Sequence, residues 1–199
     1  MSIKKQLKNT DIYLIDQILK GRFENTKSVL DAGCGTGRNL SYFLQNGFNV
    51  YGLDSDEKKI EQTIRNAKKI NPSTPLSNFK VATAEQIPFA ENFDLIICNA
   101  VLHFSKNKEQ FDEILFSLWS KLNDNGILFI RLASNIGIEK LVKPLSNGNF
   151  QLPDNTKRYL VSESDLLNYT KNLNAELIES IKTTNVQNLR CMTTWVLRK

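Results

Sequence analysis

The sequence predicts an α/β protein with one open sheet of seven strands, mostly parallel, and helices on both faces. Short apolar runs alternate with amphipathic helical segments, which is the pattern of a parallel sheet covered by helices. The last two predicted strands are joined by only a few residues, about 185–191, which is too short for a crossover connection. The last strand is therefore predicted to be antiparallel.

The strands follow from short apolar runs bounded by turn residues. The run "FDLIICNAV" is the most apolar, so we expect this strand at the centre of the sheet, buried on both faces. The predicted strands are, in order, "SVLDAG", "NVYGLD", "NFKVATA", "FDLIICNAV", "GILFIRLAS", one near "AELIESIKTT" and the last, "CMTTWVLRK".

The helices follow from apolar residues at helical spacing and from glycine stop signals. The first, within "TDIYLIDQILKGRF", is expected to bury Leu14, Ile15, Ile18 and Leu19 and to end at Gly21. The others are "RNLSYFLQNG", "DEKKIEQTIRNAKKI", "KEQFDEILFSLWSKL" and a helix near 162–173. We expect residues 1–199 to form a single domain, with a helical lead-in at 1–25 and a loop on the substrate side at 135–160.

Composition limits the class of protein. Hydrophobic residues make up 41% of the chain and charged residues 24%, and no apolar run approaches the length of a membrane span. Because "MSIKKQLKNTD" lacks the apolar core of a secretory signal, we expect a cytoplasmic protein without membrane contact. With three scattered cysteines and one histidine, no metal site is expected. The net charge of +5 is spread over lysines mixed with glutamates, so nucleic acid is not the expected partner.

The stretch "SVLDAGCGTGRNL", residues 28–40, carries the strongest functional signal. Glycines after a strand permit positive φ angles and let a ligand approach the backbone. The spacing lacks the Gly-Lys pair of a phosphate loop and the third glycine of a dinucleotide turn, where Arg38 stands. It reads instead Asp31-x-Gly33-x-Gly35-x-Gly37. Asp31 suits a ligand with a cationic amino group, and Asp54, ending the next strand, can accept both hydroxyls of a ribose.

These residues resemble the class I S-adenosylmethionine-dependent methyltransferases. "VLDAGCGTGRN" is similar to their first motif, "VYGLDSD" to the second, and "ATAEQIPFAENFDLIICNAVLHF" to the third and fourth. "KLNDNGILFI" is similar to the entry into their fifth strand, so the resemblance covers about residues 10–134. The length and last strand resemble the small tellurite-resistance and thiopurine-type members, or the type 11 and 25 groups. The resemblance implies a Rossmann-like fold, S-adenosylmethionine as the cofactor and S-adenosylhomocysteine as the product.

The resemblance also implies roles for individual residues. Asp54 would hold the ribose hydroxyls, and Asn99 would offer its backbone to the methionyl amino group. Thr83 stands where many relatives have Asp, so a carboxylate contact to adenine would have to come from Glu85. The full set implied to bind the cofactor is Asp31, Gly33, Gly35, Asp54, Ser55, Ala84, Glu85 and Asn99.

The expected reaction is transfer of a methyl group by in-line displacement to a small acceptor. His103 is a candidate general base, with pocket lining as the alternative. Four cations are predicted to converge at the carboxyl edge of the sheet and to bind an anionic group: Arg131, Arg158, Lys182 and Arg190. The alternative is that two or more of them face solvent or pair with Glu163, Asp165 or Glu179. An RNA methyltransferase and a non-catalytic S-adenosylmethionine-binding protein remain as alternatives, and the oligomeric state stays open.

Overall fold

The computed structural model describes residues 6–7 and 9–199, and its central feature is an eight-stranded sheet. Residues 1–5 and 8, part of the predicted lead-in, lie outside the described residues. The strands are β1 (Ser28–Ala32), β2 (Asn49–Asp54), β3 (Phe79–Val81), β4 (Phe93–Asn99), β5 (Leu122–Ser134), β6 (Lys143–Pro144), β7 (Asn149–Gln151), β8 (Lys157–Tyr159), β9 (Glu176–Leu177), β10 (Lys182–Val186) and β11 (Arg190–Arg198).

The strand order is β10-β11-β5-β4-β1-β2-β3, with β9 also paired to β11. Strand β4 is flanked by β1 and β5, both parallel to it, so the predicted central position is confirmed. Strand β11 is antiparallel to both β5 and β10, which confirms the expected antiparallel end of the sheet.

In the described part of the chain, five α-helices cover the sheet on both faces, as predicted. In β4, Leu95 and Ile97 belong to one apolar core, and Ile96 and Cys98 belong to the other. This alternation follows from the two-residue period of a strand. The helices are α1 (Ile12–Leu19), α2 (Ser41–Gln45), α3 (Glu57–Ile70), α4 (Lys108–Ser120) and α5 (Glu163–Asn172). None of the described helices is long and apolar enough to cross a membrane.

The sheet has eight strands rather than the predicted seven, because the expected strand near 175–184 is interrupted. Its two parts, β9 and β10, both pair with β11. Between them, the Glu179 carboxylate accepts hydrogen bonds from Lys20 at 2.6 Å and from Gln17 at 3.2 Å. This cluster ties α1 to the far edge of the sheet.

The buried face of α1 differs from the predicted face. Leu14 is fully buried, but Leu19 is 66% exposed, and Gln17 takes a buried position instead. A polar side chain can be buried when it has hydrogen-bond partners. The bond from the Gln17 amide to Glu179 supplies one, and apolar periodicity alone does not reveal it.

The segment 135–160, predicted as a loop, contains a small antiparallel sheet of β6, β7 and β8. Its strands have only two or three residues, which is too short for an alternating pattern to be visible. The turn between β6 and β7 contains Asn147 at φ 59° and Gly148 at φ 76°, which are typical hairpin angles. The hairpin leading to β8 carries side chains toward the carboxyl edge of the main sheet.

Candidate active site

The three glycines of the turn after β1 serve different purposes. All have positive φ: Gly33 at 81°, Gly35 at 56° and Gly37 at 79°. A Cβ atom at Gly33 would lie 2.3 Å from a methyl carbon of Val101, and one at Gly37 would lie 3.1 Å from Thr63. A Cβ at Gly35 would meet no described atom within 4 Å. Protein packing therefore leaves no room for a side chain at the first glycine and little at the third, whereas the second faces open space.

That space is the glycine-turn cavity, with a volume of about 410 Å³. Its volume lies within the range of small-molecule sites. Six of the eight residues that the resemblance assigns to the cofactor line it: Gly33, Gly35, Asp54, Ser55, Ala84 and Glu85. Gln110 and Phe104 also line it, although neither is assigned a role from the sequence. Gln110 carries no motif signal, whereas Phe104 ends the segment that resembles the third and fourth motifs.

Asp54 joins the glycine turn to the end of β2. One carboxylate oxygen accepts the N–H of Gly35 at 2.9 Å, and the other accepts the N–H of Asp56 at 3.0 Å. Each oxygen keeps a further lone pair for a ligand hydroxyl. The N-cap of α3 is Asp56, whose side chain accepts from the backbone of Lys58 and Lys59. Capping is therefore not the role of Asp54.

Asp31, in β1, and Asn99, which ends β4, are the two assigned residues that do not line this cavity, and they are buried, with relative exposures of only 1% and 7%. Neither carboxylate oxygen of Asp31, and neither amide atom of Asn99, has a hydrogen-bond partner among the described residues. Burial raises the pKa of Asp31 to about 7, against the effect of Arg38 and with a contribution from Asp54. An unpaired buried carboxylate is costly, so the site fits a ligand that brings a cationic donor.

Glu85 is fixed at the rim of the same cavity. Its carboxylate accepts the side-chain N–H of Gln110 at 2.7 Å. Partial burial opposes ionisation, but the hydrogen bonds from Gln110 and the backbone hold the pKa of Glu85 below its ordinary value. The carboxylate is thus ionised at neutral pH and available as an acceptor.

A second cavity of about 230 Å³ adjoins the first, and Ala100 lines both. It is called the arginine cavity here because Arg131, Arg158 and Arg190 line it. Lys182, expected to join these three, instead lies 2.9 Å from Glu179 and 3.3 Å from Asp16. The reason is that β10 runs from Lys182 to Val186, so this lysine begins the strand rather than ending it.

Two of the three guanidinium groups, those of Arg131 and Arg158, are held by different contacts within the protein. Arg131 lies 3.3 Å from the buried carboxylate of Asp11 and packs on the ring of Tyr13 at 4.8 Å. Arg158 packs on the ring of Phe104 at 4.7 Å and forms no ion pair with a described carboxylate. These cation–π contacts help to hold two guanidinium groups at the cavity wall.

His103 also lines the arginine cavity, but its ring is already engaged. Its Nδ1 accepts the backbone N–H of Ala133 at 3.0 Å, so the neutral ring carries its proton on Nε2. Burial, with Arg158 and Arg131 nearby, lowers the pKa of His103 to about 4. The geometry therefore favours the lining role over that of a general base at neutral pH. The described residues contain no group of three or more His, Cys, Asp and Glu suited to a metal ion.

The fold and the glycine turn place the chain in the class of open α/β proteins whose ligands bind at the carboxyl edge of the sheet. The model of the methyltransferase domain family matches residues 30–130, just over half of the chain. The chain therefore belongs to this family, and with it to the class I S-adenosylmethionine-dependent methyltransferases.

The individual proteins that this chain resembles share less than a third of their residues with it over the matched segments. The ubiquinone biosynthesis O-methyltransferase of Rickettsia canadensis is 29% identical over 59% of this chain and 48% of that protein. The probable S-adenosyl-L-methionine-dependent methyltransferase TehB of Haemophilus influenzae is 27% identical over 73% of this chain and 48% of that protein. The crystal structure of magnesium protoporphyrin IX methyltransferase (ChlM) from Synechocystis with bound SAM has a TM-score of 0.67 and 18% identity, covering 97% and 79% of the two chains. The chain spans about half the length of the curated relatives it matches.

We predict that Asp31→Asn stabilises the free protein at high pH. Since the folded-state pKa of Asp31 lies above its unfolded value of 3.8, the wild-type protein loses stability as pH rises from about 4 to about 7. The variant lacks this loss, so its free energy of unfolding should exceed the wild-type value at pH 8 by at least about 1 kcal/mol. Thermal unfolding at pH 5 and pH 8 measures the difference.

The matched control is Asp54→Asn at the same edge of the sheet. It removes one acceptor of a backbone hydrogen bond and should destabilise the protein at pH 8. If Asp31→Asn were as destabilising as this control at pH 8, Asp31 would not be the unpaired buried carboxylate described above.

Proposed function

We propose that this protein transfers a methyl group from S-adenosylmethionine to a small anionic acceptor and releases S-adenosylhomocysteine. The observation that carries the proposal is the meeting of two cavities at Ala100. One is lined by six of the eight residues assigned to the cofactor, and the lining of the other includes three arginines. A methyl donor bound in the first cavity and a methyl acceptor bound in the second would meet beside Ala100.

The described residues fit the cofactor in three respects. Asp31 is a buried carboxylate without a partner and suits the methionyl amino group. Asp54 keeps free lone pairs for the ribose hydroxyls while its backbone contacts hold it in place. Gly35 leaves its side of the cavity open. Ser55, Ala84 and Glu85 would then border the rest of the nucleoside, and Asn99 would lie beside the methionyl end. The relative ChlM, which covers most of this chain, has SAM bound.

When bound, S-adenosylmethionine supplies a methyl group activated as a sulfonium, which suits in-line displacement by a nucleophile. The protein's task is then to position the acceptor and to exclude water. Arg158 and Arg190 would hold the anionic group of the acceptor, and the Nε2–H of His103 would donate a further hydrogen bond. Without a base at His103, we expect the attacking atom to bear a free lone pair at neutral pH.

The size of the acceptor site favours a small molecule over RNA. The arginine cavity has a volume of about 230 Å³, which is below that of a typical drug-sized pocket. Its lining includes the three arginines. An RNA methyltransferase would need a basic surface along a strand of nucleotides. A protein that only bound the cofactor would have no need of a second cavity in contact with the first.

We expect Gly35→Ala to weaken cofactor binding through steric overlap. The added methyl group meets no described protein atom but enters the glycine-turn cavity. The affinity for S-adenosylhomocysteine, measured by calorimetry, should fall at least about tenfold.

Gly47→Ala provides a control with the same backbone strain. Gly47 has φ 77°, and its Cβ would also meet no described atom within 4 Å, but it follows α2 and does not line the cavity. It should therefore lose a similar amount of stability and keep its affinity for S-adenosylhomocysteine. Equal affinities of the two variants would refute the placement of the cofactor against Gly35.

We expect Arg158→Gln to impair use of the acceptor rather than of the cofactor. The guanidinium has no carboxylate partner among the described residues, so its loss removes a contact meant for a ligand. In a labelled-methyl assay with small carboxylates, phenolates and oxyanions, KM for any active acceptor should rise about tenfold or more. The affinity for S-adenosylhomocysteine should stay within about twofold.

Arg65→Gln is the matched control, since Arg65 lies on α3 with a half-exposed side chain paired to Glu61. It should leave KM unchanged. A parallel loss of cofactor affinity in Arg158→Gln would place this arginine in the cofactor site and would contradict the assignment of the arginine cavity to the acceptor.

A further inference from the structure

The arginine cavity contains one carboxylate among the described residues, that of Asp154, in the hairpin between β7 and β8. Its Oδ1 accepts hydrogen bonds from the backbone N–H of Thr156 at 2.9 Å and from the Thr156 hydroxyl at 2.6 Å. Its Oδ2 lies 4.0 Å from Arg190, which is too far for a hydrogen bond, and accepts none from the described residues. One oxygen is thus fixed by the hairpin, and the other is unused.

The charges around this oxygen are not balanced by the protein. Arg131 is paired with Asp11, so Arg158 and Arg190 face the single carboxylate of Asp154. Burial opposes ionisation of Asp154, but the bonds from Thr156 and the charges of Arg190 and Arg158 lower its pKa. Two cations and one anion leave one positive charge, which a ligand with a single negative charge would neutralise.

A simple anion would neutralise that charge but leave the unused oxygen of Asp154 unsatisfied. An oxygen that loses water on ligand binding without gaining a donor is penalised, and it also repels the incoming anion. A hydroxyl or N–H on the ligand would remove the penalty. Sites built to bond such a donor reject analogues that lack it.

We propose that Asp154 determines acceptor specificity by selecting small monoanions that also carry a hydroxyl or N–H donor. The proposal rests on the proposed function, because it takes the arginine cavity as the acceptor site. Arg158 and Arg190 bind the negative group, and Oδ2 of Asp154 accepts the donor. Asp154 acts on recognition, so its effect falls on relative affinities and not on cofactor binding.

The substitution Asp154→Asn tests this role with little change to the hairpin. The asparagine carbonyl can still accept both bonds from Thr156, while an NH₂ group replaces the unused oxygen. The variant therefore removes the acceptor for a ligand donor and keeps the shape of the cavity.

The probes are benzoate, 3-hydroxybenzoate and 4-hydroxybenzoate, titrated by calorimetry into the protein saturated with S-adenosylhomocysteine. The wild-type protein should bind at least one hydroxybenzoate about tenfold more tightly than benzoate. In Asp154→Asn the preference should fall to within about twofold. In the control Arg190→Gln both kinds of probe should bind more weakly, with the preference retained.

A preference that survives in Asp154→Asn, or that is absent in the wild-type protein, would overturn the proposal. If the wild-type complex bound none of the three probes, the proposal would also fall. The preceding titration with S-adenosylhomocysteine separates this result from failure of the proposed function. Binding of S-adenosylhomocysteine without any probe would leave the cofactor assignment standing, and no binding at all would remove both.

Discussion

The site depends on how the chain turns after β1 and is held against the end of β2. The backbone N–H groups of Gly33 and Cys34 both donate to the carbonyl of Leu53, at 2.8 and 2.9 Å, and that of Gly35 donates to Asp54. These bonds are possible because the glycines accept positive φ. The same turn thus opens the cavity beside Gly35 and orients the carboxylate of Asp54, which lines that cavity. Fixed donors and acceptors of this kind lower the cost of ordering a ligand.

The polar groups at this edge are placed for ligands more than for stability. The side chains of Asp31 and Asn99 are buried without hydrogen-bond partners among the described residues. In the neighbouring cavity, stacking on Tyr13 and Phe104 holds two guanidiniums in place, and one of them has no ion pair among the described residues. Such uncompensated groups are expected at functional sites, where binding energy offsets the loss of folding energy. The proposed acceptor chemistry follows from this imbalance of charge.

Much of the fold and of the first cavity could be predicted because their signals are local. The spacing of Gly33 and Gly35, the carboxylate of Asp54 and the apolar run of β4 each lie within a few residues. The hairpins at 143–159 have strands too short to show a period, and the contact of Gln110 with Glu85 joins distant parts of the chain. The prediction that Lys182 lies at the carboxyl edge of the sheet is wrong, because a strand that contains Thr and Asn gives no apolar signal of where it begins and ends. The position of Asp154 beside the arginines depends on the same hairpins.

A crystal structure of the protein with S-adenosylhomocysteine tests the central claim most directly, because it shows where the reacting sulfur lies. We expect the ribose hydroxyls on Asp54, the amino group beside Asp31, and the sulfur facing the arginine cavity next to Ala100. A ligand bound elsewhere, or a sulfur atom turned away from that cavity, would contradict the assignment of the two cavities to donor and acceptor.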